Sequence, residues 1–288
     1  MLTVVLGFFT AVVYGFADFF GAIASRKISS IKVTAISGLV GFVFLSSLAP
    51  FVGATFSELA IITGIAAGVA SAIGISALYA SLAIGPIAIV SPMGAVIGAL
   101  VPMTFGFFLG DRFGWMALVA LGLILVAVAL VGFVPGSDVR LPTTKGLIYA
   151  VIAGCGIGTI LIVLKFSPAD SGMASIIVMR LVSAIFLSFF FVATWIKNRK
   201  KQPADMSVKI EGKFWWAVIA AGVFDSSANI FFTLALRSGS LSVVSVLTAL
   251  YPLGTIILAR VILKERIAKV QMLGVLLALA GSAILAVA

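Results

Sequence analysis

The chain alternates long apolar stretches with short polar connections. A helix needs about 20 apolar residues to cross a bilayer core, and the sequence contains ten stretches of about that length. They cover residues 3–24, 33–53, 59–84, 87–109, 114–134, 145–166, 173–196, 214–236, 241–263 and 268–287. The pattern predicts an all-α integral membrane protein with about ten transmembrane helices.

Most connections between these stretches are tight, and Gly85-Pro86 is typical turn chemistry. A polar segment at 135–142 joins the fifth and sixth stretches, and a longer basic segment at 197–213 follows the seventh. The first of these divides the chain into two five-span parts, predicted as domains over residues 1–137 and 138–288.

The basic residues predict the orientation in the membrane, because cytoplasmic loops carry an excess of Lys and Arg. Connections after even-numbered spans hold only Arg112, Lys165 and Arg237. Connections after odd-numbered spans hold Arg26, Lys27, Lys32, Arg140, Lys145, Lys197, Arg199, Lys200, Lys201, Lys209, Lys213, Lys264, Arg266 and Lys269. We therefore expect a multi-pass protein of the inner (plasma) membrane with both termini outside.

An internal repeat relates the two parts when Gly85 is aligned with Gly239 without gaps. The aligned pairs then include Ser91 with Ser245, Ala95 with Ala249, Asp111 with Glu265, and Arg112 with Arg266. Parts separated by an odd number of spans lie in opposite orientations across the membrane. The expected architecture is thus two inverted five-helix repeats.

Composition narrows the functional classes. Hydrophobic residues make up 62% of the chain and charged residues 10%, whereas a soluble domain has about 25% charged residues. With no histidine and one cysteine, Cys155, the chain has no basis for a disulfide or a zinc site. A Walker-type phosphate loop is also absent from the sequence, so we expect no ATP-driven transport. No metal or cofactor is predicted, and topology explains the basic charge without nucleic acid.

The second part carries Tyr251-Pro252, Leu263-Lys-Glu265-Arg266 and the glycines from Gly274 to Gly281, and the first part carries Gly110-Asp111-Arg112-Phe113. The order of these short motifs resembles the EamA-type family of the drug/metabolite transporter superfamily. Tyr14-Gly15 and Met179-Arg180 resemble that family's aromatic–Gly pair and its early arginine in the seventh span. The resemblance extends over essentially the whole chain.

This resemblance implies ten helices, a central cavity between two halves, and transport of small metabolites by alternating access. Relatives are usually drawn with cytoplasmic termini, which is the reverse of what the charges predict here. The direction of transport is therefore not carried over from the family.

Few charged residues lie inside the apolar stretches: Asp18, Arg180, Asp225 and Arg260. Arg260 is one turn before Lys264, so we interpret it as a side chain that reaches the interface. Charges deep in a membrane are costly and usually face a partner or a polar cavity. Asp18 and Asp225 are on the first and eighth spans, so we hypothesise that they face one another across a cavity.

The buried acids have three alternative roles. Burial and mutual repulsion favour the protonated form of at least one, as required for proton coupling. A carboxylate near aromatic rings instead attracts an amine. The structural alternative is an ion pair of Arg180 with Asp225 or Asp18, and Arg180 is equally suited to a substrate carboxylate.

Further polar residues complete the predicted substrate or proton site. Asn229 is four residues after Asp225 and Tyr14 is four before Asp18, so each pair shares a helix face. Ser71 aligns with Asp225 in the repeat, which makes the site asymmetric. The predicted set is Asp18, Asp225, Asn229, Tyr14, Tyr79, Arg180, Ser71, Ser226 and Tyr251.

These features predict a secondary transporter of small organic metabolites, either amino-acid-like, amine or drug-like, with proton coupling as an open alternative. A flippase for a lipid-linked substrate is the second reading, and an intramembrane aspartyl enzyme is the third. The expected partners are a small solute and the lipid bilayer, and a homodimer is left open.

Overall fold

The computed structural model describes residues 1–85, 87–110, 112, 114–131, 143–198, 214–252, 254, 255, 258, 262 and 269–287. Several features predicted above lie outside these residues, namely Pro86, Asp111, the connections at 135–142 and 199–213, Arg260, and the Glu265-Arg266 pair.

The described residues are helical, with no strand among them apart from an isolated bridge between Ala54 and Gly172. The helices are α1 (Leu2–Ser25), α2 (Ser30–Val52), α3 (Glu58–Ile84), α4 (Ile87–Phe108), α5 (Trp115–Val131), α6 (Thr144–Lys165), α7 (Ala174–Asn198), α8 (Trp215–Ser238), α9 (Leu241–Thr248) and α10 (Lys269–Val287). A short 3₁₀ turn, Ala169–Ser171, precedes α7.

By length and composition, six of the described helices are able to cross a membrane: α1, α2, α3, α6, α8, and α7 over Ala174–Ala193. Two shorter apolar stretches, Met93–Phe108 and Trp115–Leu130, accompany them. The predicted all-helical architecture is confirmed, and its apolar helices are those of a multi-pass membrane protein.

Several helices begin at the residues where the sequence supplies a cap. The Ser57 hydroxyl accepts a hydrogen bond from the Ala60 N–H at the start of α3 (3.2 Å). The Thr143 hydroxyl does the same for Gly146 of α6 (3.1 Å), and the Ser240 hydroxyl for Val243 of α9 (3.4 Å). Each cap satisfies a backbone donor that the first helical turn leaves unpaired.

The predicted ninth span differs from the structure. We expected one helix over 241–263, but α9 ends at Thr248 and residues 249–251 form a turn. Pro252 follows directly, and a proline disfavours the helical conformation of the residue before it. The chain is helical again at Pro252, so the interruption is local. In α4, by contrast, the helix continues through Pro92.

The most extensive helix contacts are α1 with α8, α3 with α6, and α5 with α10. α3 also packs on α7, α4 on α6, and α2 on both α7 and α8. At one end of the bundle the Thr3 hydroxyl donates to the Ser238 carbonyl oxygen (2.7 Å). At the other end Ser81 of α3 donates to the Gly146 carbonyl oxygen of α6 (3.0 Å). The N-terminus of α1 therefore lies at the same end as the α8–α9 connection.

Gly15 allows α1 to contact the interrupted ninth segment. A Cβ atom at Gly15 would lie 2.2 Å from the Tyr251 carbonyl oxygen and 2.6 Å from the Gly254 Cα atom. The Thr255 hydroxyl donates to the Gly15 carbonyl oxygen at the same contact (3.1 Å). Since both obstructing atoms belong to the backbone, a larger residue must push the two segments apart.

We expect Gly15→Ala to lower the free energy of unfolding by about 1–3 kcal/mol, the usual cost of overpacking a core. Thermal unfolding of the detergent-solubilised protein measures this. Gly122→Ala is the matched control, because nothing lies within 4 Å of a Cβ atom there. It should be neutral or stabilise by about 0.5–1 kcal/mol through helix propensity. Equal melting temperatures for the two variants would contradict the close contact.

Candidate functional site

A cavity opens at the centre of the bundle, between α1, α3, α4, α6, α7, α8, α9 and the turn after α9. It encloses about 630 Å³ of space when the solvent at its opening is included. The lining residues are Tyr14, Asp18, Ser71, Ile75, Leu78, Tyr79, Ala95, Gly98, Ile157, Ile160, Leu161, Met179, Arg180, Asp225, Asn229, Ser245, Thr248, Ala249 and Tyr251.

The structure brings both acids predicted from the sequence to this one cavity. Asp18 comes from α1 and Asp225 from α8, the two helices that pack together most extensively. Their exposed fractions are only 7% and 6%. The two carboxyl groups are nevertheless in different environments.

Asp225 is in an ion pair. The Nη1 atom of Arg180 on α7 donates a hydrogen bond to the Asp225 Oδ2 atom. Arg180 is 3% exposed, and its Nε and Nη2 atoms are buried without a hydrogen-bond partner among the described residues. The guanidinium group thus balances the charge of Asp225 and retains unpaired donors beside the cavity.

Asp18 has no such partner: its carboxyl group makes no hydrogen bond or ion pair with another described residue. An unpaired buried carboxylate is expensive in an apolar environment. Such a group is stabilised by taking up a proton or by binding a cation. Of the two acids, Asp18 is therefore the one free to do either.

Asn229 extends the Asp225 face of α8 by one turn. Its Nδ2 atom donates to the Asp225 carbonyl oxygen (2.8 Å), and its Oδ1 atom is buried with no partner in the described part of the chain. The amide therefore presents an acceptor at the cavity that Arg180 also lines.

Three tyrosines line the cavity, as the sequence predicted for Tyr14, Tyr79 and Tyr251. The Tyr251 hydroxyl donates to the Ser91 carbonyl oxygen of α4 (3.0 Å), which holds the turn after α9 against α4. Ser71 also lines the cavity. The aromatic residues Phe16 and Phe224 pack edge to face with centroids 5.6 Å apart, and they are not among the lining residues.

Ser226 is the one predicted site residue that the cavity does not include. A Cβ atom built at Gly41 of α2 would lie 2.2 Å from the Ser226 Oγ atom, so this side chain points toward α2. The reason is helical geometry: adjacent residues are about 100° apart around a helix, so Ser226 cannot share the face of Asp225 and Asn229.

Two polar residues that line the cavity were not predicted from the sequence. Ser245 and Thr248 lie on one face of α9, and both hydroxyls are buried without a partner among the described residues. Their sequence signal was their spacing of three residues, just before the proline that interrupts the span. The described residues also contain no cluster of three or more metal-ligating side chains.

Comparisons with known proteins identify the family. The profile of the EamA-like transporter family matches residues 144–287, which contain α6 to α10. The chain belongs to the EamA-like transporter family. The resemblance inferred from the motifs is thereby confirmed.

A solved structure described as "Crystal structure of protein" has a fold similar to that of this chain. It has a TM-score of 0.76 and 16% sequence identity, and the match covers 98% of this chain and 95% of that one. At this identity the likeness shows the fold alone. No curated protein matches the chain.

The ion pair predicts a specific pattern of stability. Asp225→Asn or Arg180→Gln alone should lower the free energy of unfolding by about 3–5 kcal/mol, because each leaves a buried charge unpaired. The double variant should lose much less than the sum of the two. Unfolding of the purified protein in detergent measures all three.

Asp18→Asn is the control for this cycle, since it removes a carboxyl group that has no partner among the described residues. It should leave stability unchanged or raise it. Strict additivity of Asp225→Asn and Arg180→Gln would show that the pair contributes nothing to the fold.

Proposed function

We propose that this EamA-like protein is a secondary transporter of small organic metabolites and that the central cavity is its substrate site. The observation that carries this proposal is that two kinds of group in one buried cavity have no partner among the described residues: the Nε and Nη2 donors of Arg180, whose Nη1 atom is bonded to Asp225, and the Asp18 carboxyl group. Groups of this kind are costly in a membrane unless a ligand satisfies them.

The two groups define the chemistry of the solute. The planar guanidinium group of Arg180 suits a carboxylate, which accepts two parallel hydrogen bonds. Asp18 suits an ammonium group, and Tyr14, Tyr79 and Tyr251 add aromatic surface for its cation or for an apolar side chain. Amino-acid-like and amine solutes fit this combination, as do cationic drug-like solutes.

We also propose that the fold consists of two inverted repeats of five helices, over residues 1–137 and 138–288. The helix contacts support this, because exchanging each helix for the one five places along the chain reproduces the main contacts. The α1–α8 contact becomes α6–α3, α3–α7 becomes α8–α2, and α4–α6 becomes α9–α1. The α2–α7, α4–α9 and α5–α10 contacts map onto themselves.

Alternating access follows from this arrangement in our proposal. Inverted repeats commonly rock against each other around a site near the middle of the membrane. The cavity draws its walls from α1, α3 and α4 of one repeat and from the equivalent α6, α8 and α9 of the other. A site between the repeats would therefore be exposed to each side in turn.

Proton coupling is assigned to Asp18 rather than to Asp225. Asp225 is held in an ion pair by Arg180, whereas Asp18 has no counter-charge among the described residues. The same difference weighs against an intramembrane aspartyl enzyme, because a catalytic dyad needs two carboxyl groups that share a proton.

Uptake into proteoliposomes tests the site with a panel of amphoteric, cationic and anionic solutes. Asp18→Asn and Arg180→Lys should each reduce initial uptake at least about tenfold, since each loses a charge-assisted bond of about 1.5–3 kcal/mol. Ser226→Ala, one residue from Asp225 but outside the cavity, should transport like the wild type. Normal transport by both cavity variants would place the site elsewhere.

The same vesicles test proton coupling. An imposed pH gradient should stimulate uptake by the wild type, and the residual uptake by Asp18→Asn should not respond to it. A gradient response that survives in Asp18→Asn would assign the coupling proton to another group.

We further propose a plasma-membrane location with both termini outside. Thr55 and Ser29 are exposed and lie at opposite ends of the bundle. In a Cys155→Ala background, an impermeant maleimide added to intact cells should label Thr55→Cys but not Ser29→Cys. Permeabilised cells should show labelling of both. The reverse pattern in intact cells would invert the topology.

A further inference from the structure

Hydroxyl groups join α3 to the start of α7 at the end of the bundle that holds the N-terminus of α1. The Thr63 Oγ1 and Ser175 Oγ atoms are 3.1 Å apart, and Ser175 donates to the Ala60 carbonyl oxygen (3.0 Å). The Ser167 Oγ atom, in the connection before α7, is 2.7 Å from the same Ser175 Oγ atom.

Backbone contacts join the connections at the same end. The Thr55 N–H donates to the Ser171 carbonyl oxygen and the Met173 N–H to the Gly53 carbonyl oxygen, each at 3.0 Å. These two bonds flank the bridge between Ala54 and Gly172. The last turn of α8 contacts the same segment, because the Arg237 Nη2 atom donates to the Gly172 carbonyl oxygen (3.0 Å).

We name these contacts the end clamp: the Thr63–Ser175 hydroxyl pair, the Ala54–Gly172 bridge and the Arg237 bond. Ser175 precedes Met179 by one helical turn, and Met179 lines the cavity. The end clamp therefore lies directly beyond the cavity. The first two contacts connect residues 1–137 to residues 138–288, which are the two proposed repeats.

We propose that the end clamp is the gate on this side of the membrane, formed when this end is closed and broken when it opens. This inference rests on the proposed transport function. The Arg237 bond is exposed, so water replaces it at small net cost when this end opens. The Thr63–Ser175 pair is buried, so opening must separate this end of α3 from α7. The helices of each repeat would meanwhile move as rigid bodies.

Gly172 is the position at which we expect a substitution to disrupt the gate most. Its φ of +58° is in the left-handed region, and a Cβ atom there would lie 2.1 Å from the Gly53 carbonyl oxygen. Gly53 has a comparable φ of +79°, but nothing lies within 4 Å of its Cβ position. Gly172→Ala should therefore break the bridge, while Gly53→Ala imposes backbone strain alone.

A cross-link tests the gate directly in a Cys155→Ala background. Oxidised Thr63→Cys/Ser175→Cys would join the two repeats, whereas oxidised Ser167→Cys/Ser175→Cys would join two segments of one repeat. Once mass spectrometry has verified both disulfides, the first should abolish transport reversibly, whereas the second should transport at the rate of its own reduced form. Equal transport by the two oxidised proteins would overturn the gate.

A labelling measurement separates failure of the gate from failure of the transport function. If the reduced proteins move no solute, the proposed function fails, and accessibility still tests the gate. Ser71→Cys, in the same Cys155→Ala background, reports on the cavity. An impermeant maleimide added from the N-terminal side should label it several-fold faster in Gly172→Ala than in Gly53→Ala. Equal labelling rates would overturn the proposal.

Discussion

The burial of Arg180 is the constraint on which the centre of this structure depends. A guanidinium group cannot lose its charge at any ordinary pH, so the fold must supply a counter-charge inside an apolar bundle. Asp225 supplies it across from α7 to α8, and both helices pack on α2. Gly41 of α2 leaves space for the Arg180 side chain, since a Cβ atom at Gly41 would lie 3.3 Å from the Arg180 Cδ atom.

The ion pair leaves hydrogen-bond donors of Arg180 unused, and these donors lie beside the cavity. One nitrogen of Arg180 is bonded to Asp225, while two others are buried without a partner in the described chain. A purely structural ion pair is stabilising only when its remaining hydrogen-bonding groups are satisfied as well. Donors without a partner beside a cavity are instead available to bind a polar ligand. The Asn229 Oδ1 atom, an acceptor with no partner among the described residues, is available in the same way.

The two carboxyl groups in the cavity are chemically alike but have different neighbours. Asp225 is paired with Arg180, whereas Asp18 has no counter-charge in the part of the chain that the structure describes. A pair of titratable groups with contrasting environments is a common way to divide two roles within one site. In the proposed site, Asp225 would give electrostatic support and Asp18 would bind a proton or a substrate cation.

Much of this protein was predictable from the sequence alone. Apolar length and turn residues located the helices other than α9 to within a few residues, because a membrane allows few backbone structures other than continuous helices. Charged residues are rare in membrane spans because they are costly in a bilayer, and this rarity singled out Asp18, Arg180 and Asp225, which the structure places at one cavity. The motif order identified the family for a related reason, because glycines and prolines mark backbone positions that few other residues tolerate.

Only the tertiary structure decided which of these groups are partners. Arg180 was equally compatible with Asp18 and with Asp225, because sequence spacing does not say which faces of separate helices meet. The same limit explains Ser226, whose neighbours in sequence line the cavity while its own side chain points toward α2. The placement of the interrupted ninth segment was likewise decided by packing: α1 contacts the turn after α9 through Gly15, and Ser245 and Thr248 line the cavity.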